Sequence, residues 1–518
     1  VAISMSKTII IIGAGLAGLS AALQAAENGC NVKLVSSLPS ERAQSVMAEG
    51  GINAALNTKD ENDSPEEHFT DTIKAACGLA DPNAVWGMTQ AAPELVHWLL
   101  KLGVKFNMSG YDDVDLRNFG GQKKKRTAFA QSDTGKQIMT AMIDAVRRKE
   151  ASGMVERFSH HSFLTLRLCG NICCGCVIRD EYSQETVELP GDAVIVATGG
   201  MHGLFGNTTG SLSNTGEVTA ELFRLGVPLA NGEMIQYHPT TVKCGGKRML
   251  ISEAARGEGG RLFAMKDGKQ WYFMEEKYPE LGNLMPRDIT AREIWKVSHE
   301  SEVFLDMTEI SEEIISNKLS GLADDCMTYL HKDIRKEPVS VLPGIHYFMG
   351  GILVDEQHRT PIQNLYAAGE CCAQYHGANR LGGNSLLGAL YGGRVAAKSA
   401  CEQADVVDLS CATQIDFPPA SQISEIKQLN KVMQETMGVV RNENTLLNGI
   451  QTVQALTGNL PLLGMAVLKS ALARKESRGA HWREDYPKSN DDDYLKTTVA
   501  RFDGKQIQIS FVPVPERR

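Results

Sequence analysis

The spacing of apolar positions near the start of the chain predicts a strand, a helix and a second strand. Residues 8–12 form an uninterrupted run, Thr-Ile-Ile-Ile-Ile, as expected for a parallel strand buried on both faces. Three glycines at G-x-G-x-x-G spacing follow, then the helical stretch Leu19 to Asn28 and a strand from Asn31 to Val35. This is a βαβ unit whose helix start can hold a pyrophosphate.

Two later segments also combine a buried strand with a terminal glycine. Ala193 to Ala197 is followed by Thr-Gly-Gly, and Asn364 to Ala368 is followed by Gly-Glu. Three such units predict one discontinuous nucleotide-binding domain, with the region of about 230–343 inserted as a second domain. Helical periodicity over 421–480 predicts a helical domain, and alternation over 499–514 predicts a hairpin. Residues 405–420 are predicted to be a polar connector.

The second strand ends in Ser36-Ser37, where a ribose-binding acid usually stands in NAD-dependent proteins. This departure weakens an NAD interpretation and leaves FAD open.

Composition narrows the class of protein. With 518 residues, 42% apolar and 22% charged, the chain has the balance of a soluble globular protein with several domains. A net charge of −9 argues against nucleic acid as a partner. No signal peptide or bilayer-spanning segment is evident, so we expect a cytoplasmic protein with reduced thiols, whose membrane association would come through a partner.

Four of the twelve cysteines cluster at Cys169, Cys173, Cys174 and Cys176. Their C-x₃-C-C-x-C spacing matches neither common ferredoxin pattern. We therefore expect plain buried or edge thiols there, and no metal site.

The segment His376 to Leu386 places Arg380 among glycines. Glycine lets backbone approach a ligand closely, and arginine offers a rigid fork of donors that matches a carboxylate. Asn384 and Ser385 then precede an apolar run and predict a helix start with polar caps. The segment is interpreted as a carboxylate clamp beside a helix N-terminus; the alternative is a glycine-rich surface turn.

Several motifs, taken in order, resemble the flavoprotein subunits of fumarate reductase and succinate dehydrogenase over most of the chain. They are Ala48-Glu-Gly-Gly-Ile52, Ala197-Thr-Gly-Gly200, Gln236-Tyr-His-Pro-Thr240, Ser252-Glu-Ala-Ala-Arg-Gly-Glu-Gly-Gly260, Pro286-Arg-Asp288, His346-Tyr-Phe-Met-Gly-Gly351, His376 to Leu386 and Glu476-Ser-Arg-Gly-Ala-His481.

The resemblance implies an α/β fold, with a Rossmann-like FAD-binding domain, an inserted α+β capping domain, a C-terminal helical domain and a short β tail. We expect the FAD-binding domain at 5–229 with 344–404 and the capping domain at 230–343. The helical domain is expected at 421–485 and the tail at 486–518. FAD would lie on Gly13, Gly15, Gly18, Ser36, Gly50, Gly51, Glu370, Arg380, Ser385 and Leu386.

The resemblance also implies a small dicarboxylate, fumarate or succinate, as the substrate. His346 and Arg380 would hold one carboxylate, and His238, Ser252 and the backbone beside Glu253 the other. Arg287 would donate a proton, supplied by a relay through Glu253 and Arg256. Arginine is an unusual acid because its ordinary pKa is about 12.5 or above. A structural ion pair remains the alternative for Glu253 and Arg256, and a core histidine the alternative for His238.

Two positions depart from the family pattern. Gln44 stands where many members carry the histidine that links FAD covalently, so FAD is expected to be non-covalent. In the family, losing this link lowers the flavin potential, which disfavours succinate oxidation and leaves fumarate reduction. Glu217 stands in place of an aspartate. This exchange keeps the negative charge and moves it by one methylene group, so we expect it to have a small effect.

The family implies an iron–sulfur subunit and a membrane anchor as partners, which would place the protein at the cytoplasmic face of a membrane.

The rival interpretations are an L-aspartate oxidase, a reductase of another α,β-unsaturated acid, and a non-catalytic flavin-binding protein of the RNA-modification type. The sequence beyond His481 favours the reductase and dehydrogenase group over the oxidase.

Overall fold

A computed structural model describes residues 6–110, 113–406, 415, 417 and 422–518. The predicted connector over 405–420 therefore lies mostly outside the described residues.

The first part of the chain contains β1 Thr8–Ile12, α1 Leu16–Glu27, β2 Asn31–Ser36, β3 Ile52–Asn53, α2 Pro65–Ala75, α3 Pro82–Lys101, β4 Leu116–Arg117, β5 Thr127–Ala128, α4 Thr134–Ala151, β6 Val155–Ser159, β7 His161–Cys169, β8 Ile172–Asp180, β9 Thr186–Pro190, β10 Ala193–Val196 and α5 Glu217–Arg224.

The middle and final parts of the chain continue this order. The middle contains β11 Leu229–Ala230, β12 Ile235–Cys244, β13 Lys247–Leu250, α6 Glu253–Gly257, β14 Arg261–Lys266, β15 Lys269–Trp271, α7 Phe273–Lys277, α8 Arg287–Val297, β16 Val303–Asp306, α9 Glu312–Lys318, α10 Ser320–Asp325, β17 Val339–Ser340, β18 Leu342–Phe348 and β19 Gly351–Leu353. The final part contains β20 Leu365–Ala367, β21 Cys372–Ala373, α11 Asn384–Gln403, α12 Ile423–Thr436, α13 Glu443–Val453, α14 Asn459–Ala473, α15 Asp491–Tyr494, β22 Lys496–Phe502 and β23 Ile507–Pro513.

The central sheet brings together the three strand-then-glycine units seen in the sequence. Its order is β20-β10-β1-β2-β6, and all neighbours are parallel. Ile9, Ile10 and Ile11 on β1 are fully buried, because helices cover one face and β7 to β9 pack on the other. The glycine turns therefore meet at one edge of the sheet, which confirms the predicted α/β, Rossmann-like fold class.

The inserted region forms a second body with its own core. Two small antiparallel sheets, β13-β12-β18 and β15-β14-β16-β17, pack with short helices around Ile251, Leu262, Leu305 and Leu322. This α+β body projects Arg287, at the start of α8, and Glu253, at the start of α6, toward the nucleotide-binding part.

The C-terminal hairpin is not a separate tail. It begins at Lys496, three residues earlier than its predicted start, and extends a sheet of order β21-β19-β11-β22-β23. β11 pairs with β22 through Leu229 and Ala500, which lie far apart in sequence. Helices α12 to α14 pack beside it in a shared core that includes Leu463 and Val467.

Two other local predictions differ from the structure. Helix α1 begins at Leu16 rather than Leu19, because the last glycine of G-x-G-x-x-G already belongs to its first turn. Asn384 and Ser385 are not caps, since the residue that precedes α11 is Gly383 with φ +85°. Within the described residues, no helix combines the length and apolar character that a bilayer crossing requires.

The cysteine cluster lies on the β7–β8 hairpin. Cys173, Cys174 and Cys176 are buried and Cys169 is half-buried. Burial raises the pKa of the Cys173 thiol to about 12, as expected for a thiol packed in an apolar core.

Candidate active site

A cavity of about 1060 Å³ opens between the nucleotide-binding part and the inserted body. This volume is large for a single small acid and suits a dinucleotide together with one. Most of the residues selected from the sequence line it, namely Gly13, Gly15, Ser36, Gln44, Gly50, Gly51, His238, Ser252, Glu253, Arg287, His346, Glu370, Arg380, Ser385 and Leu386. Gly18 and Arg256 are not among the residues that line it.

The glycine loop at the start of α1 has no room for side chains. Gly13 has φ +110°, and a Cβ there would lie 2.2 Å from the carbonyl oxygen of Ala197. A Cβ at Gly18 would lie 1.8 Å from the carbonyl oxygen of Gly13. Gly18 therefore acts by packing the helix against the turn. The loop brings the start of α1 to the cavity, where a helix N-terminus favours an anion, although the N–H of Leu16 already donates to Ser45 Oγ at 3.2 Å.

Two polar groups stand at the edge of the central sheet beside this loop. The Ser36 hydroxyl, at the end of β2, is buried and has no hydrogen-bond partner among the described residues. Glu370 accepts a hydrogen bond from the backbone N–H of Phe348 at 3.1 Å. A buried polar atom without a partner marks a place for a ligand.

Gly50 and Gly51 line the cavity with backbone. Gly51 has φ +140°, and a Cβ there would lie 2.5 Å from the carbonyl oxygen of Ala128. A Cβ at Gly50 would lie 2.8 Å from the ring of Phe119. Backbone alone fits here, which suits the close approach of a flat ring.

Helix α11 begins at the cavity and is held by a buried polar network. The Asn53 side chain donates to the carbonyl of Gly382 at 2.7 Å and to Asn384 Oδ1 at 2.8 Å. Asn384 also contacts His68 Nε2 at 2.9 Å and donates to Thr72 at 3.0 Å. The Asn384 side chain is thus used to fix the first turn rather than to cap it.

Arg287, Glu253 and Arg256 form a continuous buried chain. Arg287 donates from Nε at 2.8 Å and from Nη2 at 2.6 Å to Oε2 of Glu253. The other carboxylate oxygen accepts from Gly120 N at 3.0 Å and from Arg256 Nη2 at 3.4 Å. Burial raises the pKa of Glu253, but the charges of Arg287 and Arg256 and these hydrogen bonds outweigh it and hold that pKa below its ordinary value.

Arg380 has a different environment. It is 2% exposed, and its guanidinium makes no ion pair or hydrogen bond with any residue in the described part of the chain. The guanidinium carbon of Arg380 lies 4.3 Å from the centre of the Tyr347 ring. Burial and the nearby charge of Arg287 lower the pKa of Arg380 to about 9. A buried cation of this kind requires an anion, which a ligand in the cavity would supply.

Gln236 links the two arginines, a role that its motif did not reveal. Its Oε1 accepts from Arg287 Nη1 at 3.1 Å. Its Nε2 donates to the backbone carbonyl of Arg380 at 2.8 Å and to Asn379 at 3.1 Å.

His238 and His346 lie side by side, with ring centres 5.2 Å apart. His238 Nδ1 faces the backbone of Thr240, and its buried Nε2 has no partner among the described residues. His346 Nδ1 lies 2.7 Å from the hydroxyl of Thr209, a contact that the sequence did not suggest. Burial and the charge of Arg287 lower the pKa of both histidines well below its ordinary value, so both rings are neutral at pH 7.

Ser252 and Gln44 stand at other points of the wall. The Ser252 hydroxyl accepts from Ala254 N at 3.3 Å, which fixes the start of α6. Gln44 Oε1 accepts from Ser211 N at 2.6 Å, which fixes the amide side chain.

These residues fit FAD. The two helix starts suit phosphate and ring oxygens, the glycine surfaces admit backbone contact, and Ser36 and Glu370 offer polar groups at the sheet edge. For the described residues, no group of three or more His, Cys, Asp or Glu side chains is arranged to hold a metal ion.

Comparisons with known proteins agree with this geometry. Residues 8–386 match the family described as "FAD binding domain", and residues 456–517 match "Fumarate reductase flavoprotein C-term". The chain is 38% identical to the succinate dehydrogenase flavoprotein subunit of Bacillus subtilis, covering 99% of this chain and 98% of that protein. It is 32% identical to the 8-methylmenaquinol:fumarate reductase flavoprotein subunit of Wolinella succinogenes, covering 99% and 92%.

A solved structure of the FrdA subunit of Escherichia coli quinol fumarate reductase, carrying a single substitution, superposes with a TM-score of 0.88 at 27% identity. That superposition covers 98% of this chain and 97% of the other. Sequence and fold therefore lead to the same group of flavoproteins.

Proposed function

Because the chain belongs to the family of fumarate reductase and succinate dehydrogenase flavoprotein subunits, which are FAD-dependent oxidoreductases, we propose that it reduces fumarate to succinate as the flavoprotein subunit of a fumarate reductase complex. The proposal also takes residues 5–229 with 344–404 as the FAD-binding domain, 230–343 as the capping domain, 421–485 as the helical domain and 486–518 as the tail.

The observation that carries the proposal is the buried guanidinium of Arg380, which pairs with none of the described residues. It stands in the cavity beside a second arginine, and the carboxylate of Glu253 is already paired with Arg287 within the described residues. The site thus has an excess of positive charge, which an organic anion would balance. A dicarboxylate would place one group on Arg380 and His346 and the other near His238 and Ser252.

Arg287 is the proposed proton donor. Three of its five N–H groups are bonded to Glu253 and Gln236, which leaves two for the substrate. Glu253 lies between Arg287 and Arg256, so a proton that leaves Arg287 can be replaced through Glu253.

The fixed cations also stabilise the reaction. When a hydride adds to the C=C bond of fumarate, negative charge develops on the carboxylate conjugated with it. Donors held by a buried scaffold need no reorganisation at that moment, and two-ended binding fixes the carbon to be reduced. When bound and reduced, FAD would supply the hydride that this reaction needs from its N5 atom.

Non-covalent FAD is part of the proposal. Gln44 occupies the position of the flavin-linking histidine in the family pattern, and an amide is not nucleophilic enough to form that bond. The lower flavin potential expected without the link favours fumarate reduction. We also propose an iron–sulfur subunit as the electron donor and a membrane anchor as a further partner, which would hold the protein at the cytoplasmic face of a membrane.

The direct test is fumarate-dependent oxidation of a reduced viologen dye by the purified holoprotein. Turnover of fumarate without aspartate oxidation supports the proposal. Aspartate oxidation without fumarate turnover would instead identify an L-aspartate oxidase, and turnover of a different unsaturated acid would replace fumarate as the substrate. Bound FAD with no turnover of any of these would support a binding role.

A further inference from the structure

Two cysteines that the sequence did not single out lie in contact on the side of the nucleotide-binding part away from the cavity. The Sγ atoms of Cys30 and Cys401 are 3.0 Å apart and share a hydrogen bond, although 371 positions separate them in sequence. Neither residue lines the cavity. The pair is therefore a feature independent of the proposed catalytic site.

The pair joins the two helices whose first turns face the cavity. Cys30 follows the C-terminal end of α1, in the turn that leads into β2, and its N–H donates to the carbonyl of Ala25 at 3.0 Å. Cys401 stands in the last turn of α11. The helices also touch along their length, since Ser20 donates to the carbonyl of Leu390 at 2.7 Å and a Cβ at Gly393 would lie 2.3 Å from the carbonyl oxygen of Ala17. The sulfur contact is thus held by a rigid helix pair.

The surroundings favour a reactive thiolate. Lys7 Nζ donates to the backbone carbonyl of Cys401 at 2.8 Å, so a positive charge stands beside the sulfurs. The hydrogen bond with Cys401 lowers the pKa of Cys30 to about 7, against the opposing effect of burial. Cys30 is 5% exposed and Cys401 is half-buried, so a small oxidant can reach the pair while a bulky one is hindered.

We propose that Cys30 and Cys401 form a redox-active dithiol that hydrogen peroxide converts into an intramolecular disulfide, which links α1 to α11. The Cys30 thiolate attacks one peroxide oxygen, the O–O bond breaks, and hydroxide leaves and takes up the thiol proton as water, which gives a sulfenic acid. Cys401 then attacks this sulfur, the S–O bond breaks, and the hydroxyl leaves with the Cys401 proton as a second water. The dithiol loses two electrons and the peroxide gains two.

The test is a thiol map of the holoprotein before and after treatment with an equimolar amount of hydrogen peroxide. Free thiols are alkylated under denaturing conditions and the digest is read by mass spectrometry. The expected result is a peptide pair joined through Cys30 and Cys401, with the loss of two alkylatable thiols and about 2 Da, reversed by dithiothreitol. Both cysteines still alkylated after peroxide, or Cys30 found as sulfinic acid with Cys401 alkylated, would overturn the proposal.

Two variants sharpen the test. In Cys401→Ser the resolving thiol is absent, so Cys30 should accumulate as a sulfenic acid, which dimedone added together with the denaturant should trap. The matched control is Cys169→Ser, which removes a half-buried thiol on another element and should leave the cross-link unchanged. Loss of the cross-link in the control as well, or failure of dimedone to label Cys30 in Cys401→Ser, would contradict the assignment. If Cys401→Ser does not fold, the thiol map of the unsubstituted protein still decides the question.

Discussion

The side chain of Gln236 accepts a hydrogen bond from Arg287 at 3.1 Å while its amide nitrogen donates to the backbone carbonyl of Arg380 at 2.8 Å. One neutral residue therefore sets the separation between the proposed proton donor and the proposed carboxylate clamp. An amide performs this task without adding charge, because it offers an acceptor to one arginine and a donor to the backbone of the other.

We expect Gln236→Leu to lower kcat/KM for fumarate by about 10–100-fold, because it removes a hydrogen bond to a charged group in the site. FAD content should stay at the level of the unsubstituted protein. Gln506→Leu, at an exposed position, is the matched control. Steady-state kinetics with a reduced viologen dye check this, and an unchanged kcat/KM in Gln236→Leu would show that the bridge has no role in turnover.

The glycine loop gives a prediction about FAD retention. Gly13→Ala places a Cβ 2.2 Å from a backbone oxygen, so the loop must shift, and we expect most of the FAD to be lost. Gly103 has φ +100° and no atom of the described residues within 4 Å of the place where a Cβ would stand, so Gly103→Ala carries the backbone strain of about 1–2 kcal/mol without the clash. The flavin-to-protein absorbance ratio after gel filtration distinguishes them. Equal FAD loss in both variants would assign the effect to strain alone.

Non-covalent FAD predicts that acid precipitation moves the yellow colour into the supernatant. Gln44 offers an amide whose oxygen is bonded to Ser211 N at 2.6 Å. Gln44→His, which restores the family's linking residue, is the matched comparison. Flavin that remains on the washed pellet of the unsubstituted protein would refute the assignment.

Buried neutral histidines predict acid lability. Burial lowers the pKa of His68 from 6.5 to about 3, so the unfolded chain binds a proton below pH 6.5 that the folded protein does not. The contribution of neutral His68 to the free energy of unfolding is fully present above pH 6.5. It is lost as the pH falls toward 3, by about 1.4 kcal/mol per pH unit. The melting temperature of His68→Gln should therefore fall less steeply between pH 7 and pH 5 than that of the unsubstituted protein.

The control for this experiment is His97→Gln, because His97 is exposed and bonds the carbonyl of Pro93 within its own helix. Its melting temperature should follow the pH dependence of the unsubstituted protein. Parallel curves for His68→Gln and the unsubstituted protein would mean that His68 does not titrate on unfolding.

Local patterns predicted the sheet strands and the glycine loop because both depend on neighbours in sequence. β1 was found at its predicted bounds, since a short run of four β-branched isoleucines favours a strand buried on both faces. The start of α11 was not predicted correctly: Asn384 has the right residue type for a cap, but its side chain is taken by Asn53, Thr72 and His68, all more than 300 positions away.

The same limit applies to the site. Family motifs selected residues that line the cavity, but Gln236 and Thr209 were not assigned roles, because their partners are set by packing between distant elements. The place of the hairpin in the sheet with β11 and β19 was hidden for the same reason, since strand partners leave no local pattern.

The measurement that tests the central claim most directly is fumarate reduction by Arg287→Ala, with FAD content determined on the same sample. Arg287 bonds only side chains of Glu253 and Gln236 within the described residues, so its removal should leave the FAD surfaces in place. We predict retained FAD and a loss of turnover of at least about 1000-fold, as expected when the proton donor is missing. Turnover within about tenfold of the unsubstituted protein, with FAD bound, would contradict the account.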